Sequence, residues 1–139
     1  MGKQDVMAKI LPKGKGVWVP IDHGVTDFPC VGLENIEATI TAIIAGGANV
    51  IVAHKGVVDK YSHLCEGTAT SMIAHLSAST RHGGKNHSNK VLVGDVDEAI
   101  MRGAVGVSVQ ANIGSKKEST MLQRMGHITS EAFLNHCLL

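Results

Sequence analysis

The sequence predicts an α/β fold built from parallel strands, and three observations indicate it. Short apolar runs alternate along the chain with segments whose apolar residues recur at helical spacing. The strand-like runs are apolar on both faces, as is typical of strands that helices cover. Strands and helices also follow one another without an internal repeat or a Pro-rich linker, so residues 1–139 are predicted to form a single domain.

The predicted strands are short runs that give way to polar or glycine-rich segments. They cover Val17 to Ile21, Asn49 to His54, Ser71 to Thr80, and Val105 to Gly114. The second is rich in β-branched residues, and the third runs into small hydroxyl residues. The segment from Arg81 to Lys90 is predicted to be a loop because of its composition.

The predicted helices lie between and after these strands. One covers Leu33 to Ala45, where isoleucines recur at helical spacing before a pair of glycines. A short helix follows Asp95, which is placed as an N-cap with Glu98 three residues on, in the pattern of a capping box. The last is an amphipathic helix from Lys116 to about Leu134.

Two architectures are compatible with this order of elements. One is an open, doubly wound sheet, and the other is part of a closed (β/α)₈ barrel. A nucleotide-binding open sheet has a G-x-G-x-x-G turn after its first strand, whereas the turn here reads DHGVTDFPCVG. The sequence therefore favours the barrel.

Composition and charge exclude several classes of partner. The net charge of +1 and the aromatic content of 3% do not form the basic, aromatic surface that binds nucleic acid. Charges interrupt the apolar residues of the amino-terminal segment, so neither a signal peptide nor a membrane span is predicted. The cysteines Cys30, Cys65 and Cys137 are odd in number and widely spaced, which predicts free thiols and a cytoplasmic protein.

Each predicted strand turns polar at its carboxyl end. The residues are Asp22 and His23, His54 and Lys55, Ser77 with Ser79 and Thr80, and Gln110 with Asn112. Ligands of parallel α/β folds bind at this edge of the sheet, because the loops there vary while the strands hold their positions. We therefore expect one shared pocket.

The turn after the first strand offers the clearest chemistry. Asp22 is suited to general acid or base catalysis, although an Asp at this position also caps loops. His23 is suited to orienting Asp22, to binding an anion or to a structural role. Gly24 permits a tight turn in which backbone N–H groups face a substrate.

Lys55 and Ser77 extend the candidate pocket along the sheet edge. An amine at a strand end can form a Schiff base with a carbonyl substrate, while the alternatives for Lys55 are an ion pair with Asp59 or a solvated position. Ser77 can donate a hydrogen bond to a phosphate or hydroxyl, but no G-x-S-x-G elbow surrounds it. The histidines lack metal-ligand spacing, so neither a metal nor a cofactor is expected.

Several stretches together resemble one family in order and spacing. VPIDHGVT, GGANVIVAHKGVV, IAHLSAST and VDEAIMRGAVGVSVQANIGS are similar to the archaeal-type class I aldolases. That family includes 2-amino-3,7-dideoxy-D-threo-hept-6-ulosonate synthase and class I fructose-bisphosphate aldolases, and the HKG and HLSAST stretches look more like the synthase branch. The resemblance runs from about Lys13 to about Phe133.

The resemblance implies a (β/α)₈ barrel and Schiff-base chemistry without a metal. It assigns proton transfer to Asp22 and substrate binding to Asp22, His23, Gly24, Val25 and Thr26. For the synthase branch it implies a transaldolase-type step from a sugar phosphate to aspartate semialdehyde, on a route toward aromatic amino acids. It also implies a homo-oligomer.

The chain departs from the family pattern in two ways. Gln110 stands where the synthases tend to have a histidine. The strands that carry the family's Tyr proton donor and Schiff-base Lys are absent, and neither Tyr61 nor Lys55 matches those positions. We therefore expect roughly the first half of a barrel, completed by a second polypeptide or a second copy. The alternative is a non-catalytic half-barrel that keeps sugar-phosphate binding.

Overall fold

The central element of the structure, a computed structural model that describes residues 2–139, is a four-stranded sheet. Its strand order is β1-β2-β3-β6, and every neighbouring pair is parallel. Two further strands, β4 and β5, form a separate antiparallel pair. The strands are β1 (Trp18–Pro20), β2 (Val50–Ala53), β3 (Ser71–His75), β4 (Ser77–Ala78), β5 (Val91–Leu92) and β6 (Gly106–Ser108). The predicted parallel sheet is confirmed.

Helices lie before, between and after the strands. They are α1 (Lys3–Ile10), α2 (His23–Thr26), α3 (Ile36–Ala45), α4 (Lys55–Tyr61), α5 (Val96–Met101) and α6 (Glu118–Leu134), with 3₁₀ turns at Pro12–Gly14, Ser62–Cys65 and Arg81–Asn86. The three predicted helices are confirmed as α3, α5 and α6. No helix within residues 2–139 is long and apolar enough to cross a membrane.

The cap predicted for α5 forms only in part. Asp95 Oδ1 accepts a hydrogen bond from the Glu98 backbone N–H at 2.8 Å, as an N-cap does. The Glu98 carboxylate does not return to the Asp95 backbone and instead binds Lys55 and Arg102. Helix α5 therefore begins with the Asp95 part of a capping box, while the Glu98 side chain links α5 to Lys55 of α4.

The two faces of the sheet are both apolar but are covered differently. Helices α3 to α6 pack on the outer face, where the sheet contributes Ile51, Met72 and Val107 to the main core. On the inner face, Val50 and Ile73 form a second apolar cluster with residues of α1 and with Leu138. Four parallel strands with helices outside and a small inner cluster make about half of a (β/α)₈ barrel.

The third predicted strand is broken at Leu76. The Leu76 N–H donates to the Ser108 carbonyl at 2.8 Å, while its own carbonyl accepts from the Val93 N–H at 2.9 Å. The chain thus leaves the parallel sheet after β3 and pairs with β5 instead. The fourth predicted strand is also shorter than expected, because only Gly106–Ser108 pairs with β3.

The two edges of the sheet differ in how much they are covered. At the β6 edge, Leu138 forms a parallel bridge to Gly106, and its carbonyl accepts from the Val107 N–H at 2.8 Å. At the β1 edge, the Trp18 indole N–H donates to the Ile10 carbonyl, yet the residue is 42% exposed. The free thiols predicted for Cys30, Cys65 and Cys137 are confirmed.

Candidate functional site

A layer of four polar side chains occupies the carboxyl end of the parallel sheet. It consists of Asp22, His54, His75 and Ser108, one from each strand or its first following residues. Side chains alternate between the faces of a strand, so a residue two positions after an inner-face residue points inward as well. His75 follows inner-face Ile73 in this way, and the strand register pairs it directly with Ser108.

Hydrogen bonds connect this carboxyl-end layer. His54 Nδ1 lies 2.9 Å from the His75 carbonyl oxygen, which can only accept. The proton of a neutral His54 is therefore on Nδ1, and its Nε2 is an acceptor. His75 Nδ1 lies 2.7 Å from Ser108 Oγ, and the two imidazole ring centroids are 5.7 Å apart.

His75 is the most buried member of the layer, with 7% of its surface exposed. Its Nε2 lies 3.7 Å from Asp22 Oδ2, which is beyond hydrogen-bond length but close enough for electrostatic attraction. Burial lowers the pKa of His75, the Asp22 carboxylate opposes that shift, and the charges of His54 and Lys90 add to it. A neutral His75 with its proton on Nε2 faces Asp22 and accepts from Ser108.

A cavity of about 300 Å³ adjoins the layer. Asp22 and His54 line one side of it, and Glu34 and Cys30 are its other polar or ionisable residues. The remaining lining residues are Ile21, Gly24, Val25, Phe28, Pro29, Leu33, Ile36 and Val57. Its volume is at the small end of the usual range for ligand pockets.

The turn after β1 is a short helix rather than an extended loop. Gly24 and Val25 of α2 line the cavity with Asp22, while His23 and Thr26 do not. The expectation that His23 orients Asp22 has no support in the contacts, because the imidazole nitrogen that approaches the Asp22 carboxylate belongs to His75. Substrate binding by these α2 residues remains a prediction.

Lys55 is engaged in an ion pair away from the layer. Its Nζ lies 2.9 Å from Glu98 Oε2, and the other oxygen of Glu98 binds Arg102 at 2.8 Å. Hydrogen bonds from Lys55 and Arg102 lower the pKa of Glu98. The alternative pairing of Lys55 with Asp59 is wrong, because Arg102 binds Asp59 at 3.1 Å.

Ser77 is buried and has a partner in the backbone. Its Oγ accepts a hydrogen bond from the Gln110 N–H at 3.0 Å, which ties β4 to the segment after β6. The Gln110 side-chain amide N–H donates to Asn112 Oδ1 at 2.8 Å. The structure gives Ser77 a structural role, and its contact with substrate remains a prediction.

Sequence reasoning missed His75 and Ser108 as members of the site. The polar residues at the strand ends predicted where the site lies. Alternation along the strands, which places His75 and Ser108 on the inner face, is the signal that could have identified these two residues. Within residues 2–139, no three His, Cys, Asp or Glu side chains form a group that could hold a metal ion.

Comparison with known proteins identifies the family. The sequence profile of the DeoC/LacD family aldolases matches residues 16–138. The chain belongs to the DeoC/LacD aldolase family. The resemblance drawn from the motifs is thus confirmed, and the fold is consistent with it.

Two curated relatives are similar to this chain in sequence. It is 34% identical to 2-amino-3,7-dideoxy-D-threo-hept-6-ulosonate synthase 1 of Archaeoglobus fulgidus over 93% of this chain and 48% of the synthase. It is 32% identical to the Halobacterium salinarum synthase over 94% of this chain and 48% of that protein. The chain therefore spans about half the length of these curated relatives.

A solved structure shares the fold of this DeoC/LacD chain. It is a Schiff-base-forming fructose-1,6-bisphosphate aldolase, which superposes with a TM-score of 0.79 at 22% identity. The superposition covers 98% of this chain and 55% of the aldolase. The likeness shows that the four-stranded sheet and its helices correspond to about half of a complete aldolase barrel.

Proposed function

We propose that the chain supplies the amino-terminal half of a Schiff-base aldolase site, in which Asp22 transfers protons during carbon–carbon bond chemistry on a sugar phosphate. The observation that carries this proposal is the position of Asp22. Its carboxylate follows β1 at the carboxyl end of the sheet, lines the cavity and faces the buried His75 at 3.7 Å.

The proposed chemistry divides between the two halves of the site. In a Schiff-base aldolase, a lysine amine condenses with a ketone, water leaves, and the resulting iminium accepts the electron pair of the carbon–carbon bond that breaks. Cleavage also requires a base that removes the proton of the hydroxyl on the carbon that becomes the aldehyde. Asp22 is the base in this proposal. The lysine and a phenolic proton donor would come from polypeptide outside these 139 residues.

The reaction class follows the curated relatives. Their names and the motif resemblance support a transaldolase-type synthase that joins a sugar-phosphate fragment to aspartate semialdehyde, on a route toward aromatic amino acids. Assembly as a homo-oligomer and a cytoplasmic location belong to the same proposal. The unpaired Cys30, Cys65 and Cys137 are consistent with that location.

A second candidate function is sugar-phosphate binding without catalysis. The observation that favours it is the Lys55–Glu98 ion pair, which engages the amine of the lysine that follows the carboxyl end of β2 and so disfavours Schiff-base chemistry there. A half-barrel of this kind would keep the cavity and the carboxyl-end layer and would bind a ligand without forming a covalent bond to it.

Reassembly of a barrel tests the proposal. The chain would be co-expressed with the part of the Archaeoglobus fulgidus synthase that the match leaves uncovered, and aldol cleavage would be measured on ketose phosphates including fructose 1,6-bisphosphate. Asp22→Asn should lower kcat by about 10² to 10⁴-fold, the usual contribution of general acid–base catalysis. Asp27→Asn is the matched control, because Asp27 is exposed and follows the same helix.

Two results separate the candidates. Equal turnover by the parent and by Asp22→Asn would contradict the aldolase proposal. A reassembled barrel that binds ketose phosphate but never cleaves it would instead support the non-catalytic half-barrel.

A further inference from the structure

The imidazole of His54 lies between the carboxyl-end layer and the cavity. Its Nδ1 donates to the His75 carbonyl at 2.9 Å. His54 also lines the cavity of about 300 Å³, whereas His75 does not. In an imidazole ring the Nε2–Cδ2 edge lies across from Nδ1. An Nδ1 atom that is aimed at His75 therefore turns Nε2 away from His75 and toward the side of the cavity.

The Nε2 atom of His54 is an open hydrogen-bond acceptor. It makes no hydrogen bond within residues 2–139, yet it is not a buried atom, so solvent reaches it. In this it differs from His75 Nε2, which is buried. The His75 carbonyl holds the proton of a neutral His54 on Nδ1, which leaves the Nε2 lone pair available to an external donor.

The polar side chains of the cavity are mainly acceptors. Asp22 and Glu34 contribute carboxylates, and Cys30 contributes a thiol, which is a weak donor. None of the residues that line the cavity within residues 2–139 is Lys, Arg, Ser, Thr, Asn or Gln. A ligand of this cavity must therefore supply the donor of any strong side-chain hydrogen bond.

His54 is the acceptor that suits an uncharged donor. Glu34 Oε2 already accepts from the Gly32 N–H at 2.7 Å, and Asp22 Oδ2 faces His75 Nε2 at 3.7 Å. A hydroxyl can pair with a neutral ring nitrogen without bringing a charge into the cavity, where desolvation of a charge is costly. A ligand that has only acceptors would leave Nε2 desolvated and unpaired, which is unfavourable.

We propose that this cavity binds a small organic molecule that carries a hydroxyl group on an apolar body, and that His54 Nε2 accepts the hydrogen bond of that hydroxyl. The apolar body would cover Val25 and Phe28, which line the cavity and are 45% and 69% exposed. The hydrogen bond to the His75 carbonyl orients the acceptor before the ligand arrives. This site goes beyond the proposed function, because it requires neither a Schiff base nor a phosphate.

Two isomeric probes test for the hydroxyl. Benzyl alcohol has a hydroxyl donor, whereas its isomer anisole has only an ether acceptor. Each would be titrated into the ¹⁵N-labelled 139-residue chain at about pH 8, above the ordinary pKa of histidine, and amide chemical shifts would give the dissociation constants. The parent should bind benzyl alcohol about three- to tenfold more tightly than anisole, which is the effect of one neutral hydrogen bond.

The His54 ring nitrogens give a second, direct measurement. Long-range ¹H–¹⁵N spectra of the free chain should show His54 with its proton on Nδ1. Benzyl alcohol should shift the Nε2 resonance, because Nε2 becomes hydrogen-bonded, and anisole should not. Benzylammonium, a charged donor of similar size, should bind no more tightly than benzyl alcohol, because an ammonium group loses more hydration in a cavity with apolar walls.

Two substitutions of His54 separate its two contacts. In His54→Asn the side-chain amide can take the place of Nδ1 and donate to the His75 carbonyl, but nothing replaces Nε2, so the preference for benzyl alcohol over anisole should be lost. In His54→Gln the amide oxygen can take the place of Nε2, so part of the preference should remain. His63→Asn is the control, because His63 is exposed and does not line the cavity.

The preference is a ratio within one variant, so a general weakening of the fold does not imitate its loss. Equal affinities of the parent for the two isomers, a full preference in His54→Asn, or tighter binding of benzylammonium would overturn the site. A reassembled barrel that cleaves ketose phosphates although the chain shows no preference would retain the proposed function and reject the site. A preference that depends on His54 in a barrel that never turns over would do the reverse.

Discussion

His75 Nε2 and Asp22 Oδ2 approach to 3.7 Å although their strands are not neighbours in the sheet. Strand β2 lies between β1 and β3, and the His54 imidazole after β2 donates to the His75 carbonyl. Curvature of a sheet toward its inner face, as in barrel sheets, brings the side chains of alternate strands closer together. The contact is consistent with such curvature in this four-stranded sheet.

The burial of His75 predicts that the chain loses stability in mild acid. The pKa of His75 is lowered from its ordinary value of 6.5, so the unfolded chain binds this proton at a higher pH than the folded chain does. The contribution of neutral His75 is complete above pH 6.5 and is lost as the pH falls through its folded-state pKa. Urea unfolding at about pH 7.5 and about pH 5.5 measures this loss, because these values lie on either side of a normal histidine pKa.

His75→Asn should show a smaller decrease in unfolding free energy between those two conditions than the parent. His63→Asn is the control, since His63 is exposed and makes no side-chain hydrogen bond within residues 2–139. An equal decrease in the parent and in His75→Asn would contradict the assignment of the acid sensitivity to His75.

Ser108 is expected to stabilise the fold through His75. Its hydroxyl is the partner of His75 Nδ1 at 2.7 Å, and Ser108→Ala leaves that buried nitrogen unpaired. An unpaired buried polar group costs about 1–3 kcal/mol, so the unfolding free energy should fall by about that amount. Ser119→Ala, an exposed position on α6, should change it by less than about 0.5 kcal/mol, and a similar effect of both substitutions would argue against the network.

The cap of α5 gives a local test of the fold. Asp95→Ala removes the acceptor of the Glu98 backbone N–H and should destabilise the chain by about 1 kcal/mol, the usual cost of losing an N-cap. Asp97→Ala alters a charge in the same first turn without removing a cap bond, and should have a smaller effect. Chemical denaturation of the two variants side by side provides the comparison, and a larger loss in Asp97→Ala would show that the cap does not hold α5.

Local signals in the sequence were sufficient for the parallel sheet and for three helices. The apolar run before Asp22 and the cap residue Asp95 are recognised from residues within a few positions of one another. Helix α1 and helix α4 were missed, because α1 is rich in charge and α4 begins with Lys-Gly and contains two valines. Their packing against the sheet outweighs these weak propensities.

Distant contacts explain why the site was only partly predictable. The partner of Lys55 is Glu98, 43 positions away, whereas the sequence alone suggested the nearby Asp59. The approach of His75 to Asp22 joins two strands that are not neighbours in the sheet, and the break at Leu76 depends on pairing with β5. Asp22 could be predicted from the sequence because it directly follows the apolar run from Val17 to Ile21, which is a local feature.

Borohydride trapping on the isolated chain and on the reassembled barrel tests most directly whether the Schiff-base lysine of the proposed site lies outside this chain. After incubation with dihydroxyacetone phosphate and reduction, intact mass should show no adduct on the isolated chain, because Lys55 is paired with Glu98. In the reassembled barrel the adduct should lie on the synthase portion. An adduct on the isolated chain that disappears in Lys55→Ala would contradict this division of the site.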